Sequence, residues 1–192
     1  MNININMKNY VITALCTALC VVLPLAFHLA YISASIFSPM HIPALLCGLV
    51  CGWKFGAVCG AAGPVLSHFL TGMPSPASLP AMTVELAVYG LIAGLMMAAV
   101  RTKRIYIDLY AALIAAMIAG RIAAGVVRAL TFAVFTPAAA EAYSVSLWVA
   151  SYFITSFPGI ITHLIIIPAI VAALMKSKLI PKRYPQNIKN KK

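Results

Sequence analysis

Positive charge lies almost entirely in a few short stretches of this chain, and long apolar runs separate them. The chain is 63% hydrophobic and only 9% charged, whereas an ordinary soluble domain carries about 25% charged residues. Lysine and arginine concentrate at Lys8, at Lys54, within residues 101–104 and in the tail from Lys176. The apolar runs between them are long enough to cross a bilayer as helices. The sequence therefore predicts an all-α membrane protein.

The runs predict six transmembrane helices in one bundle. The approximate spans are 7–29, 40–53, 55–70, 81–100, 106–132 and 147–175, so that residues 1–175 form the bundle and residues 176–192 a basic tail. We divide residues 40–70 at Trp53-Lys54, because an unbroken helix of about 31 residues would be roughly 46 Å long against a membrane core of about 30 Å.

The basic stretches orient this bundle. All of them fall at the same ends of the six predicted spans, and the opposite loops, 30–39, 71–80 and 134–146, contain no lysine or arginine. Positively charged loops stay on the cytoplasmic side of a membrane. Both termini are therefore predicted to be cytoplasmic.

Several functional classes fit the sequence poorly. A net charge of +11 is spread over loop ends, which favours contact with anionic lipid and not with nucleic acid. No Gly-rich phosphate-binding loop ends in Lys-Ser/Thr, so the chain is not expected to hydrolyse nucleotide alone. No catalytic set is present, and we predict no enzyme, no cofactor and no metal site. The five cysteines lie in apolar runs, where small buried packing residues are expected.

Three ionisable residues lie deep within the predicted spans: Glu85, Arg121 and Arg128. At 1.5 Å per residue, Glu85 and Arg121 come to a similar depth near the outer surface. An intramembrane arginine is costly unless it is paired or faces a wet cavity. A structural Glu85–Arg121 ion pair and a ligand site both remain open. Because the two arginines exceed the one acid, the pattern favours a site for an acidic or strongly polar small molecule.

The last span carries a stripe with helical spacing, which consists of Trp148, Tyr152, Ser156, Gly159 and His163. Aromatic surface combined with hydroxyl groups is typical of small-ligand pockets. We therefore predict Tyr152 and Ser156 as pocket residues. Trp148 by itself is typical of an interfacial aromatic belt with a packed face, and His163 of a buried histidine whose hydrogen bonds are satisfied.

Small residues recur at four-residue spacing, which lets helix backbones approach closely in a membrane. For most of these rows the expected role is packing within the bundle. The row Ala14/Ala18 lies near the cytoplasmic half of the first span. That face could equally receive a helix of a partner protein.

Four ordered blocks of this sequence resemble the substrate-binding S components of energy-coupling factor (ECF) transporters. They are ALCTA at 14–18, PMHIPALLCG at 39–48, LTGMP at 70–74 and ELAVYG at 85–90. The resemblance covers most of the chain, from about residue 8 to residue 175.

The resemblance implies a high-affinity binding subunit for a vitamin or related micronutrient in a prokaryotic plasma membrane. It implies that Ala14 and Ala18 dock on a membrane coupling subunit, which carries the ATPases. The ligand would lie near the outer face, beside Met73 and the residues identified above, and the body would tip in the membrane to release it. The resemblance names neither the ligand nor a dedicated or shared coupling module. A stand-alone carrier or channel for a small polar or anionic molecule is the alternative, and a non-transporting scaffold is a third interpretation.

Overall fold

The structure, a computed structural model, describes residues 3–31, 37–102, 104–135 and 148–177. Six α-helices lie wholly within these residues, and no strand does: α1 (Ile3–Leu29), α2 (His41–Cys51), α3 (Trp53–Thr71), α4 (Leu79–Ala99), α5 (Ile105–Phe135) and α6 (Phe157–Lys176). A π-helical segment, Ala150–Thr155, precedes α6. The prediction of an all-helical protein is confirmed for the described residues. The tail from residue 178 and most of the last predicted outer loop lie outside them.

Four helices are long and apolar enough to cross a membrane: α1 from Met7 onward, α4, α5 as far as Val134, and α6. Helix α2 is apolar but has only 11 residues, a length of about 16 Å against a membrane core of about 30 Å. Six membrane crossings and cytoplasmic termini therefore stay predictions.

The break between α2 and α3 lies at Gly52, and not at the predicted Trp53-Lys54 turn. Gly52 has a φ of 94°, which glycine adopts readily and residues with a side chain rarely do. Trp53 and Lys54 instead form the first turn of α3.

The last predicted span, 147–175, is not one continuous α-helix. The π-helical segment ends at Thr155, and α6 starts at Phe157 with Pro158 in its first turn. Proline lacks a backbone N–H and clashes with the carbonyl four residues earlier, so an α-helix does not continue through this point undisturbed. The predicted stripe therefore does not lie on one continuous α-helix, although all its residues are buried or half-buried.

Helix α4 is the centre of the bundle and packs against α2, α3 and α5. The predicted close packing of small residues occurs here: a methyl group added at Gly90 would overlap the backbone at Gly56, and one added at Gly60 would overlap the backbone at Leu86. Such contact without side chains holds helices together where lipid supplies no hydrophobic drive. It also sets the rotation of α4, and with it the direction in which the polar residues of α4 point.

Two apolar cores flank α4. One joins α2, α4, α5 and α6, and the other joins α1, α2, α3 and α4 and includes Cys16, Cys20, Cys47 and Cys59. All five cysteines are free thiols, and these four are buried. This agrees with their predicted role as packing residues.

Candidate functional site

A cavity of about 470 Å³ opens where the start of α2, the α3–α4 turn, the first half of α4, the second half of α5 and the π-helical segment meet. The six residues predicted to bind a substrate all line it: Met73, Glu85, Arg121, Arg128, Tyr152 and Ser156. That these residues contact a substrate stays a proposal.

Methionine and proline side chains form the apolar part of the wall. Met40, Met73, Met82 and Pro74 contribute to it. The Met73-Pro74 peptide bond is cis. His68 at the end of α3 holds this turn, because its Nδ1 lies 2.7 Å from the Pro74 carbonyl oxygen. The turn therefore presents Met73 to the cavity from a rigid helix end.

The buried polar groups at the cavity form a chain of four side chains, three of which line it. Glu85 Oε1 accepts a hydrogen bond of 2.9 Å from the Tyr89 hydroxyl and lies 3.4 Å from His41 Nε2. Arg121 donates from Nε to the same Tyr89 hydroxyl at 3.1 Å. Glu85 and His41 are 5% exposed, Arg121 is 3% exposed and Tyr89 is fully buried. We refer to these four residues as the buried relay.

Of the two interpretations left open for Glu85 and Arg121, a direct ion pair is not seen in the structure. The Tyr89 hydroxyl lies between them, and the ion-pair contact of Glu85 among the described residues is with His41. Sequence reasoning missed Tyr89, although its spacing of four residues from Glu85 places both on one face of α4.

Gly120 makes room for the Tyr89 ring. A methyl group at Gly120 would overlap that ring, so the absence of a side chain lets Tyr89 lie against α5 next to Arg121. The position of the hydroxyl between Glu85 and Arg121 therefore depends on the packing of α4 against α5.

His41 contacts two oxygen acceptors. Its Nδ1 lies 3.1 Å from the Ser38 carbonyl oxygen, and its Nε2 faces Glu85. Both ring nitrogens of His41 therefore lie near oxygen atoms, and the ring links the Ser38 backbone to Glu85.

His163 stacks on His41 with a centroid distance of 5.8 Å, and its Nε2 lies 3.2 Å from the same Ser38 carbonyl. The expectation that the hydrogen bonds of His163 are satisfied is met only in part, because its Nδ1 has no partner among the described residues. The two facing histidines are not joined by a third group that would complete a metal site within the described chain.

Aromatic residues before α6 hold Arg121 from the opposite side. The Trp148 indole donates to the Arg121 carbonyl oxygen at 3.3 Å and packs against Gly125. The Arg121 guanidinium carbon lies 5.5 Å from the centre of the Phe153 ring. Trp148 therefore packs against α5.

The outer part of the cavity contains the remaining predicted residues. Arg128 is half-buried, with its guanidinium carbon 5.8 Å from the centre of the Phe132 ring. Ser156 donates to the Ser151 carbonyl oxygen at 3.0 Å, so this hydroxyl also stabilises the turn into α6. Tyr152 is half-buried beside them.

A second buried acid, Asp108, lies outside the cavity and was missed in the sequence. It is fully buried in the first turn of α5. One of its carboxylate oxygens accepts hydrogen bonds from the backbone N–H of Thr102, at 3.0 Å, and from the Thr102 hydroxyl, at 2.6 Å. Asp108 therefore ties the loop after α4 to the start of α5. A negative charge there also interacts favourably with the positive end of the helix dipole.

Comparison with protein families identifies the class of molecule to which this cavity belongs. The profile of the ECF transporter substrate-specific component family matches residues 8–171. The chain belongs to this family. The resemblance in the four sequence blocks is thus confirmed, and the protein is a membrane-embedded substrate-binding subunit of a transporter. Searches of curated proteins and of solved structures gave no significant match.

In this ECF component, Ala14 and Ala18 are exposed on the face of α1 that points away from the rest of the bundle. The buried residues Cys16 and Cys20 on the same helix belong to the core shared with α2 and α3. The predicted docking residues are thus on the free side of the bundle, and Ala14 and Ala18 do not line the cavity.

Proposed function

We propose that this protein captures a vitamin or related micronutrient at the outer surface of a prokaryotic plasma membrane and delivers it with an ATP-driven ECF coupling module. The observation that carries the proposal is a cavity with a buried polar wall in a chain that belongs to the substrate-specific components. Its volume of about 470 Å³ lies within the range of about 300–1,000 Å³ that small-molecule sites occupy.

The substrate is held between the two parts of the wall. Glu85, Arg121, Arg128, Tyr152 and Ser156 supply polar and aromatic contacts. Met73 closes the cavity from the α3–α4 turn. An apolar lining with a few convergent polar groups provides both burial and orientation for a small ligand.

Energy for uptake comes from the partner, because this chain has no phosphate-binding loop of its own. The coupling subunit docks on the Ala14 and Ala18 face of α1. Small side chains there let a helix of the partner approach closely. Larger exposed residues on α1, such as Val11, Leu15 and Val22, face the lipid around this contact.

Reconstituted vesicles test the proposal. The probe is the small molecule that the purified protein retains, identified by mass spectrometry. We expect uptake of this molecule only when both the coupling module and ATP are present. Uptake by the protein alone would favour the stand-alone carrier, and the absence of any retained or transported molecule would favour the scaffold.

Bulk on the docking face separates binding from uptake. Ala14→Leu and Ala18→Leu are each expected to abolish coupled uptake while substrate affinity stays within about twofold of the wild-type value, because the cavity is not altered. Ala26→Leu, an exposed position nearer the other end of α1, is the matched control and should transport normally. Normal uptake by the Ala14 and Ala18 variants would remove the docking assignment.

A further inference from the structure

We propose that Arg121 binds an anionic group of the substrate, and that the substrates of this protein are small carboxylic acids with an apolar body. This inference rests on the proposed function, since it concerns the ligand of the same cavity.

Arg121 has donor capacity that the protein does not use. Its Nε donates to Tyr89, but its Nη1 is buried without a hydrogen-bond partner among the described residues. Arg121 is only 3% exposed, and it lines the cavity. A buried donor without an acceptor is costly, and more so when it carries charge. An oxygen atom of a ligand at Nη1 would remove this cost.

Glu85 does not neutralise the positive charge of the two arginines that line the cavity. One of its oxygens already interacts with both Tyr89 and His41. Arg121 and Arg128 both line the cavity, so two permanent positive charges face one carboxylate. The surplus calls for a ligand that carries negative charge.

The shape of the wall favours a carboxylate over a larger, more highly charged anion. Next to Arg121 lie the ring of Phe153 and the relay residue Tyr89, and the second guanidinium group, that of Arg128, lies about 10 Å further along α5, so the two are not clustered as around a phosphate group. A planar carboxylate suits a single guanidinium group. The methionine and proline side chains of the wall then contact the apolar remainder of the molecule.

Arg128 has a different role from Arg121. It lies seven residues further along α5, about 10 Å nearer the outer end of the helix. It is only half-buried, as expected of a cation that attracts anions toward the cavity before they reach Arg121.

The test determines whether the bound molecule carries an acidic group. We expect the molecule retained by the wild-type protein to carry an acidic group. Binding is also measured, by thermal stabilisation in detergent, for three acids and their neutral analogues: nicotinate and nicotinamide, biotin and biotinamide, and pantothenate and pantothenol. We expect at least one acid to bind, and its analogue to bind roughly 10- to 100-fold more weakly, as for loss of a charged hydrogen bond.

Variants of Arg121 assign the effect to this side chain. Arg121→Gln should weaken binding of the acid by roughly 10- to 100-fold and leave weak binding of the neutral analogue nearly unchanged, whereas Arg121→Lys keeps the charge and should lose less. Arg104→Gln, at the exposed opposite end of α5, is the matched control. Should Arg121→Gln fail to fold, Arg121→Lys and the wild-type probe pairs still decide the question.

Two results would overturn the inference: a retained molecule without an acidic group, or a neutral analogue that binds as tightly as its acid. A neutral substrate whose uptake depends on ATP and the coupling module would contradict the anion assignment alone. A protein that neither retains nor takes up any small molecule would contradict the proposed function as well.

Discussion

Tyr89 is the residue on which the geometry of the buried relay depends. Its hydroxyl donates to Glu85 and accepts from Arg121, so one neutral group links two opposite charges at a distance where they would otherwise not touch. This contact fixes Nε of Arg121, while its buried Nη1 has no hydrogen-bond partner among the described residues. Tyr89 is therefore a positioning residue for Arg121.

At this scale we expect Tyr89→Phe to weaken binding of an acidic ligand by about tenfold and to lower stability by about 1–3 kcal/mol, because both polar partners lose a buried hydrogen bond. The preference for an acid over its neutral analogue should fall as well, which loss of packing alone would not cause. Titration calorimetry of the acid and its analogue measures both effects. Tyr110→Phe, at an exposed position on α5, is the control. An unchanged acid preference in Tyr89→Phe would show that Tyr89 does not position Arg121.

Among the helices, the contact between α3 and α4 decides how the cavity is built. Gly56 and Gly90 bring these two backbones together, which places the Glu85 face of α4 toward α2 and α5. Between α4 and α5, the missing side chain of Gly120 likewise makes room for the Tyr89 ring. The polar site thus depends on residues that carry no side chain.

Gly90→Ala tests this dependence. Alanine is a better helix former than glycine by about 1 kcal/mol, so local propensity alone predicts stabilisation. We expect the opposite, a decrease in unfolding temperature of roughly 2–8 °C, because the added methyl group overlaps the Gly56 backbone. Overpacking at the upper end of its range of about 1–3 kcal/mol exceeds the propensity gain by about 1–2 kcal/mol, and each kcal/mol corresponds to about 2–4 °C for a chain of this size. Thermal unfolding in detergent provides the measurement. Ala98→Val, on the exposed face of the same helix, should have little effect. A stabilised Gly90→Ala protein would contradict the close α3–α4 contact.

For the whole molecule, the distribution of charge predicts which end of the bundle faces outward. The cavity is at the end where α3 joins α4, and Lys54 is at the other end of α3. Basic ends remain in the cytoplasm, so the cavity is expected to open to the exterior, where a nutrient is captured.

Single cysteines introduced at exposed positions test this orientation in intact cells. We expect Ser75→Cys, in the turn beside the cavity, to react with a membrane-impermeant maleimide from outside, and Lys54→Cys to react only after the membrane is permeabilised. The wild-type protein is the control for its own cysteines, four of which are buried. Labelling of position 54 from outside would reverse the orientation and place the cavity in the cytoplasm.

The sequence by itself determined the apolar runs, their basic ends and the family, because helix length and composition are local properties of the chain. It also identified six residues that line the cavity, since polar groups within an apolar run have few places to go except a shared interior.

Only the tertiary structure decided which of these groups meet. The Tyr89 hydroxyl stands between Glu85 and Arg121, and His41 pairs with Glu85. The helix break at Gly52 also lies away from the predicted turn at Trp53-Lys54, and the break before Phe157 was not predicted. Contacts between helices depend on how each helix is rotated against its neighbours. Close backbone approach at glycines such as Gly56 and Gly90 sets that rotation. The hydrophobic periodicity of a single helix carries no information about it.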